Sequence, residues 1–396
     1  MQASDTARLH RHFSDREFAR RKSAVLAEMQ RQGLDGLLIF RQETMYWLTG
    51  YDTFGFVFFQ CLVLDADGRV RLLTRLPDLR VARFTSAISE IRVWKDGEHA
   101  DPASDLKALL WDCGMQGKRL GIEWEAYGLT AWNGRRVEAV LAGSCTLVDA
   151  SFLVSRLRLV KSEEELAYVR KAGELADAAL EECHRLALPG AWEGDIIAAM
   201  EGAMLRRDGD PPANENVIGS GRRSFMGRYI SGRRHLDPED SLLVEFAGVY
   251  RHYHAALMRV LRVGKPIPLQ IRLHEIGVEA LRAGQAACKP GRPIGEIYRA
   301  VGRSVAASGY EFAGENALAH SVGYSLGATF APNWMDYPLI YADNGTLIEA
   351  NMVLFMHIGL RDDARGFAVS PGETVIVSKA GIERLSKDSL AFRVNA

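Results

Sequence analysis

The stretches Pro189-Gly190-Ala191-Trp192-Glu193-Gly194-Asp195-Ile196 and Pro290-Gly291-Arg292-Pro293-Ile294-Gly295-Glu296-Ile297 share one pattern, Pro-Gly-x-x-x-Gly-acid-Ile. Each follows a helical run, ADAALEECHRLAL before the first and GVEALRAGQAACK before the second. Pro-Gly stops a helix, and an acidic residue favours the first turn of the next one. Strand-like runs come after each repeat, SLLVEFAGVY and HAALMRVLRVG in the first half and NMVLFMHIGL and GETVIVSK in the second. The chain therefore holds two helix-helix-then-strand-strand halves related by a pseudo-twofold. Active sites often form where such halves meet.

Working outward, Ser162-x-x-Glu165 is a capping box that opens a long helix. Leu166, Val169, Gly173, Ala176, Leu180 and Cys183 follow at alternating three- and four-residue spacing, one face of that helix. Upstream, residues 15–35 read as an amphipathic helix and Gly36-Leu37-Leu38-Ile39-Phe40 as a buried strand. Asp65-Ala66-Asp67-Gly68 marks a hairpin turn, and residues 119–124 another strand with helix after it. Strands and helices alternate here, which is an α/β pattern. The expected organisation is an α/β domain over residues 1–155 and an α+β domain over residues 156–396, with the boundary near residues 152–160.

The 396 residues are too many for one compact core. Hydrophobic content of 47% and charged content of 25% describe an ordinary globular protein. A net charge of -1 gives no electrostatic footprint for nucleic acid. No apolar run is long enough to span a bilayer, and the first residues carry no apolar leader segment. A cytoplasmic location is the expectation. Cys61, Cys113, Cys145, Cys183 and Cys288 are scattered with no Cys-x-x-Cys pair, which argues against a disulfide framework or a cysteine-built zinc site.

Two repeated halves behind an α/β domain resemble the plan of the pita-bread family, which includes creatinase, prolidase and methionine aminopeptidase. The stretches 244–264, 348–359 and 370–378 are similar to its metal-binding hairpin and last two strands. In the peptidases of this family two Asp, one His and two Glu hold two metal ions. The resemblance places those positions on Glu245, Ala256, Tyr324, His357 and Gly372. Alanine and glycine cannot ligate through a side chain, so no dinuclear centre and no cofactor are expected. A single metal on Glu245, His254 and His357 stays open. The segments Trp47–Asp52, Glu245–Pro266 and Gly323–Trp334, with Glu373, are similar to the metal-independent branch that holds ectoine hydrolase and creatinase. One departure matters. Where that branch carries a histidine eight residues after Ser220, this chain carries Arg228, which stays protonated and cannot act as an acid or base.

The residues themselves suggest roles. Glu245 lies among apolar neighbours, where a charge is costly unless paired or functional, and Arg259 across the hairpin is the partner a structural ion pair would use. As a functional group it would be base or nucleophile. His254 shares a strand face with His252 if Arg251-His252-Tyr253-His254 is extended, and His357 sits in an apolar strand. Both are candidate proton carriers. Arg228 and Arg259 would bind a carboxylate. Tyr324, Trp334 and Glu373 would shape the pocket, with Tyr51 and Asp52 as further binding residues. In related dimers the loop bearing those last two reaches the neighbour's site, so the resemblance implies a homodimer. The expected activity is hydrolysis of a non-peptide carbon–nitrogen bond in a small polar metabolite. A cyclic amidine such as ectoine and a guanidino acid such as creatine are candidates. A metal-dependent Xaa-Pro peptidase and a non-catalytic binding module are the rival readings, with a lyase of a small betaine or sulfonium compound behind them.

Overall fold

The structure is a computed structural model that describes residues 10–228, 232–310 and 320–395. The chain divides into two units, one ending at Arg158 and the other beginning at Leu159.

The first unit contains α1 (Asp15–Arg31), β1 (Gly36–Ile39), α2 (Gln42–Thr49), β2 (Cys61–Asp65), β3 (Val70–Arg75), α3 (Leu79–Thr85), β4 (Glu90–Trp94), α4 (Pro102–Asp112), β5 (Arg119–Ile122), α5 (Ala131–Leu141), β6 (Thr146–Asp149) and α6 (Leu153–Arg158). The strands form a six-stranded mixed sheet in the order β4-β3-β2-β1-β5-β6. Leu37, Ile39, Leu62 and Leu64 point into one core, and Leu38, Phe40, Cys61 and Val63 into the other. Both faces are thus covered, which is why these short strands are continuous apolar runs.

The second unit opens with α7 (Glu163–Leu186), α8 (Glu193–Leu205), β7 (Val217–Ser220), β8 (Asp240–Tyr250) and β9 (Tyr253–Val263). The second half brings α9 (Pro268–Ala287), α10 (Gly295–Ala307), β10 (Gly323–Ser325), β11 (Asp336–Leu339), β12 (Val353–His357), β13 (Leu360–Asp362), β14 (Phe367–Val369), β15 (Gly372–Ser378), β16 (Gly381–Arg384) and β17 (Val394–Asn395). Among the described residues one nine-stranded sheet runs β11-β10-β12-β15-β9-β8-β7, with β16 added to β15 and β17 to β9. The strands of the two halves meet at β15 and β9.

Helices cover one face of this sheet. Leu175, Ala179 and Cys183 of α7 and Ile196 and Met200 of α8 pack on Val244, Phe246, Leu257 and Leu261. Leu281 of α9 and Ile297 and Val301 of α10 pack on Leu354, Met356, Val375 and Val377. Burying each of the Leu, Ile, Val, Met and Phe side chains contributes roughly 1.5–3 kcal/mol. At Gly248 a Cβ would stand 2.1 Å from the Ala172 carbonyl oxygen, so only glycine lets α7 press this closely on β8. The capping box is complete: Ser162 Oγ accepts from Glu165 N–H and the Glu165 carboxylate accepts from Ser162 N–H. Side chains alternate along a strand, so the residues between those in the helix-side cores form the opposite face.

One extended segment reads differently in the structure. Arg251 and His252 are not strand residues. Both have positive φ, 51° and 66°, and they form the two-residue turn between Tyr250 and Tyr253. That is the backbone a tight hairpin needs. His252 therefore shares no strand face with His254; its ring stacks on Phe330 at 4.1 Å instead.

Candidate active site

Hydrogen-bond register lines up one row of residues across the uncovered sheet face. Glu245 pairs with Met258, Met258 with Gly372, and Gly372 with His357. Neighbouring strands lie about 4.8 Å apart, so three steps separate the Cα atoms of Glu245 and His357 by roughly 14 Å. Both side chains project from the same face. Phe355, two residues before His357, pairs with Tyr324 and brings the phenol to this face. Ala256, two residues before Met258, lies there as well.

Glu245 is partly exposed at the surface, yet its carboxyl is largely out of water. Burial lifts its pKa to about 7, with the Arg228 guanidinium working in the opposite direction. Among the described residues the carboxylate accepts no hydrogen bond. His357 is pushed down to about 4, first by burial and then by His320 and Arg228, and it is neutral at physiological pH. Its ring lies 5.4 Å from Phe355, 6.0 Å from Tyr324 and 6.3 Å from His320. The Tyr324 hydroxyl accepts from Trp334 Nε1 at 2.9 Å. Burial, and then the charge of Glu245, raise the Tyr324 pKa well above its ordinary value, so the phenol keeps its proton. Arg228 is exposed and acts electrostatically on Glu245, Tyr324 and His357 alike. Its charge belongs to this constellation.

Four expected site residues take other roles. His254 is buried, and Ala213 N–H donates to its Nε2 at 3.0 Å. The ring proton is therefore on Nδ1, which donates to the His252 carbonyl at 2.8 Å with the Thr329 hydroxyl 3.1 Å away. Burial lowers this imidazole to about 3. With both nitrogens engaged, His254 supports the loop at Ala213. Arg259 and Glu373 sit next to Met258 and Gly372 in sequence and so point to the helix-covered side. There Arg259 donates to Glu373 at 3.3 Å, to Asp388 at 2.9 Å and to the Gly372 carbonyl at 2.6 Å. Glu373 also accepts from Arg384 and Gln285. Neither is available to a substrate, and Arg259 is no partner for Glu245, which faces Met258. Tyr51, in the first unit, is fully buried and donates to Gln60 at 3.1 Å, so it is a core residue. Asp52 beside it is half-buried, its N–H donating to Thr85.

Sequence reasoning missed the wall behind Tyr324. Trp334 N–H donates to the Asn214 side chain at 3.2 Å, and the Thr329 hydroxyl donates to the Trp334 carbonyl at 3.4 Å. Asn214 and Thr329 carry no local pattern that could have announced this. A cavity of about 460 Å³ lies beside this loop, lined by Glu201, Met204, Asp210, Pro212, Asn214 and Pro332 among others. Glu245, Tyr324 and His357 do not line it.

The model of metallopeptidase family M24 matches residues 167–379, and that of the creatinase/prolidase N-terminal domain matches residues 21–160. The chain belongs to metallopeptidase family M24. An uncharacterized hydrolase/peptidase of Sinorhizobium fredii is 28% identical over 95% of this chain and 96% of its own. Ectoine hydrolase of Halomonas elongata is 24% identical over 94% of this chain and 96% of its own. The solved prolidase of Thermococcus sibiricus superposes with a TM-score of 0.83 at 20% identity, covering 95% of this chain and 99% of that one. This M24 chain thus has the two-domain pita-bread architecture and is a hydrolase or peptidase of that family.

The family name implies metal, and the residues here do not fit a dinuclear centre. Glu245, Ala256, Tyr324, His357 and Gly372 do share the sheet face. Ala256 and Gly372 offer no ligating atom, however, and the Tyr324 oxygen already receives the Trp334 N–H. At Gly372 a Cβ would stand 2.9 Å from Met258 Cβ and 3.1 Å from His357 Cβ, so a longer side chain there requires those neighbours to shift. Among the described residues no three His, Cys, Asp or Glu are grouped to hold a metal ion.

Proposed function

We propose that this M24 chain is a metal-independent hydrolase that cleaves a non-peptide carbon–nitrogen bond, amide or amidine, in a small polar or zwitterionic metabolite. The observation that carries this reading is Glu245, a carboxyl without a hydrogen-bond partner among the described residues and with a pKa near 7, on the same sheet face as His357. A base with that affinity can take a proton at neutral pH and return it. In the simplest sequence Glu245 removes a proton from water as its oxygen bonds to the substrate carbon. The carbon–nitrogen bond then breaks, and the same proton passes to the leaving nitrogen. His357, neutral at rest, is a hydrogen-bonding partner for the reacting group. Arg228 binds the substrate's carboxylate. The full-length similarity to ectoine hydrolase supports the substrate class. We also propose that the active form is a cytoplasmic homodimer.

The test is turnover on a panel of ectoines, guanidino acids, lactams and Xaa-Pro dipeptides, with and without a chelator. The expected result is turnover of a non-peptide compound, unchanged by chelation and lowered by at least a thousandfold in Glu245→Gln. Chelator-sensitive cleavage of Xaa-Pro dipeptides would replace this reading with that of a metallopeptidase.

A further inference from the structure

We infer that the cavity of about 460 Å³ beside α8 is a second binding site, for a small organic cation that carries N–H donors on an apolar body. It is lined by none of Glu245, Tyr324 and His357, and the inference does not rest on the hydrolase reading. The volume falls in the range of small-ligand pockets, roughly 300–1,000 Å³. Three carboxylates line the cavity: Glu201 of α8, and Asp210 and Glu215 of the segment that leads to β7. Among the described residues no lysine or arginine does. Asp210 is partly engaged, since it accepts the His252 N–H at 3.2 Å and attracts Arg251, which pairs with Asp208 at 3.5 Å. Glu201 and Glu215 form no ion pair among the described residues.

Hydrogen bonding sets the same preference. Pro211, Pro212 and Pro332 in the lining have no N–H. The Asp210 N–H goes to the Val249 carbonyl, the Ala213 N–H to His254 Nε2, and the Asn214 side-chain N–H to the Glu215 carbonyl. Acceptors remain. Asn216, only 3% exposed, donates to Glu201 at 3.1 Å, and its own side-chain oxygen accepts no hydrogen bond among the described residues. Buried polar atoms are nearly always paired, so a bare acceptor beside the Glu201 carboxylate marks a place for a donor. An anion entering here meets like charge, and a neutral acceptor finds few donors. An ammonium supplies both the positive charge and the N–H groups, and its hydrogen bonds to carboxylates are charge-assisted. The rest of the lining suits a hydrocarbon body: Met204 is buried, and the half-exposed Leu205 and Pro332 are apolar.

Three probes of one shape separate the cases: cyclohexylmethylammonium, cyclohexylmethanol and cyclohexanecarboxylate. Each is titrated calorimetrically into the full-length protein near pH 7. The ammonium is expected to bind at least tenfold more tightly than the alcohol, and the carboxylate not at all. Glu201→Gln is expected to weaken the ammonium by about tenfold or more, the loss of one charge-assisted hydrogen bond, and to leave the alcohol unchanged. Glu215→Gln, an exposed change, is expected to weaken the ammonium severalfold, and it serves if Glu201→Gln does not fold. Glu245→Gln tells the two sites apart, because an ammonium held in this cavity keeps its affinity there. Equal binding of ammonium and alcohol, or no binding of the ammonium, overturns the inference. So does an ammonium affinity that survives both Glu201→Gln and Glu215→Gln, or one that is lost in Glu245→Gln.

Discussion

At the scale of single residues, Glu245 fixes the sign of a pH effect. Below about pH 4.5 its carboxyl is protonated in the folded and unfolded chain alike. Between there and about pH 7 the unfolded chain releases the proton while the folded chain keeps it, so stability falls as pH rises. The loss approaches about 3 kcal/mol above that range. Glu245→Gln has no proton to lose; urea unfolding is expected to show it more stable than wild type near pH 8 and equal near pH 4.5. His254 acts in the opposite sense. Its pKa is depressed to about 3, so the stability it contributes is present above pH 6.5 and is lost as pH falls from there toward about 3. His254→Ala leaves the Ala213 N–H and the His252 carbonyl without their partner, and an expected cost of about 2–4 kcal/mol follows. A variant that keeps full stability but loses turnover would instead make His254 a proton carrier.

At the scale of elements, β15 divides its residues between two jobs. Gly372 belongs to the site face, and Glu373 anchors the helix-covered face through Arg259, Arg384 and Gln285. Removing one member of a buried ion network is costly because the others keep their charge. Glu373→Gln is expected to lower the unfolding free energy by about 3–5 kcal/mol, and a substrate found by the panel above should keep its KM; a raised KM at unchanged stability would return Glu373 to the pocket. Part of this was legible in the sequence. Strand alternation puts neighbours on opposite faces, so assigning Gly372 and Ala256 to the site already sends Glu373 and Arg259, one and three residues on, away from it. The partners Gln285 and Arg384 come from α9 and β16, and no local pattern joins them to β15. The turn at Arg251-His252 escaped notice for a simpler reason: neither residue is the Gly, Asn or Asp that usually marks positive φ.

At the scale of the molecule, the repeat Pro-Gly-x-x-x-Gly-acid-Ile was enough to foresee two related halves, because each Pro-Gly break sits where one helix ends and the next begins. Periodicity gave the sheet and its covering helices. It could not supply the wall behind Tyr324, since hydrogen bonds between Trp334, Asn214 and Thr329 depend on two loops distant in sequence meeting. The proposed homodimer also belongs to this scale. The first unit exposes Phe54, Val57, Phe58, Leu76 and Phe84, with Phe54 77% accessible, more apolar surface than a segment of this length needs to show to water. Sedimentation is expected to give a dimer for the wild type and a folded monomer for a Phe54→Glu, Phe84→Glu double variant. A wild-type monomer at micromolar concentration would remove the proposal.

Gly372 has one more consequence, and it concerns what the position could become. A Cβ added there would lie 2.9–3.1 Å from atoms of Met258, Phe355 and His357. An acidic residue at that point requires these neighbours to shift, and they are seated in two strands, β9 and β12. A two-metal ligand set at these five positions would need new side chains at Ala256 and Gly372 as well as that repacking, so no single substitution supplies it.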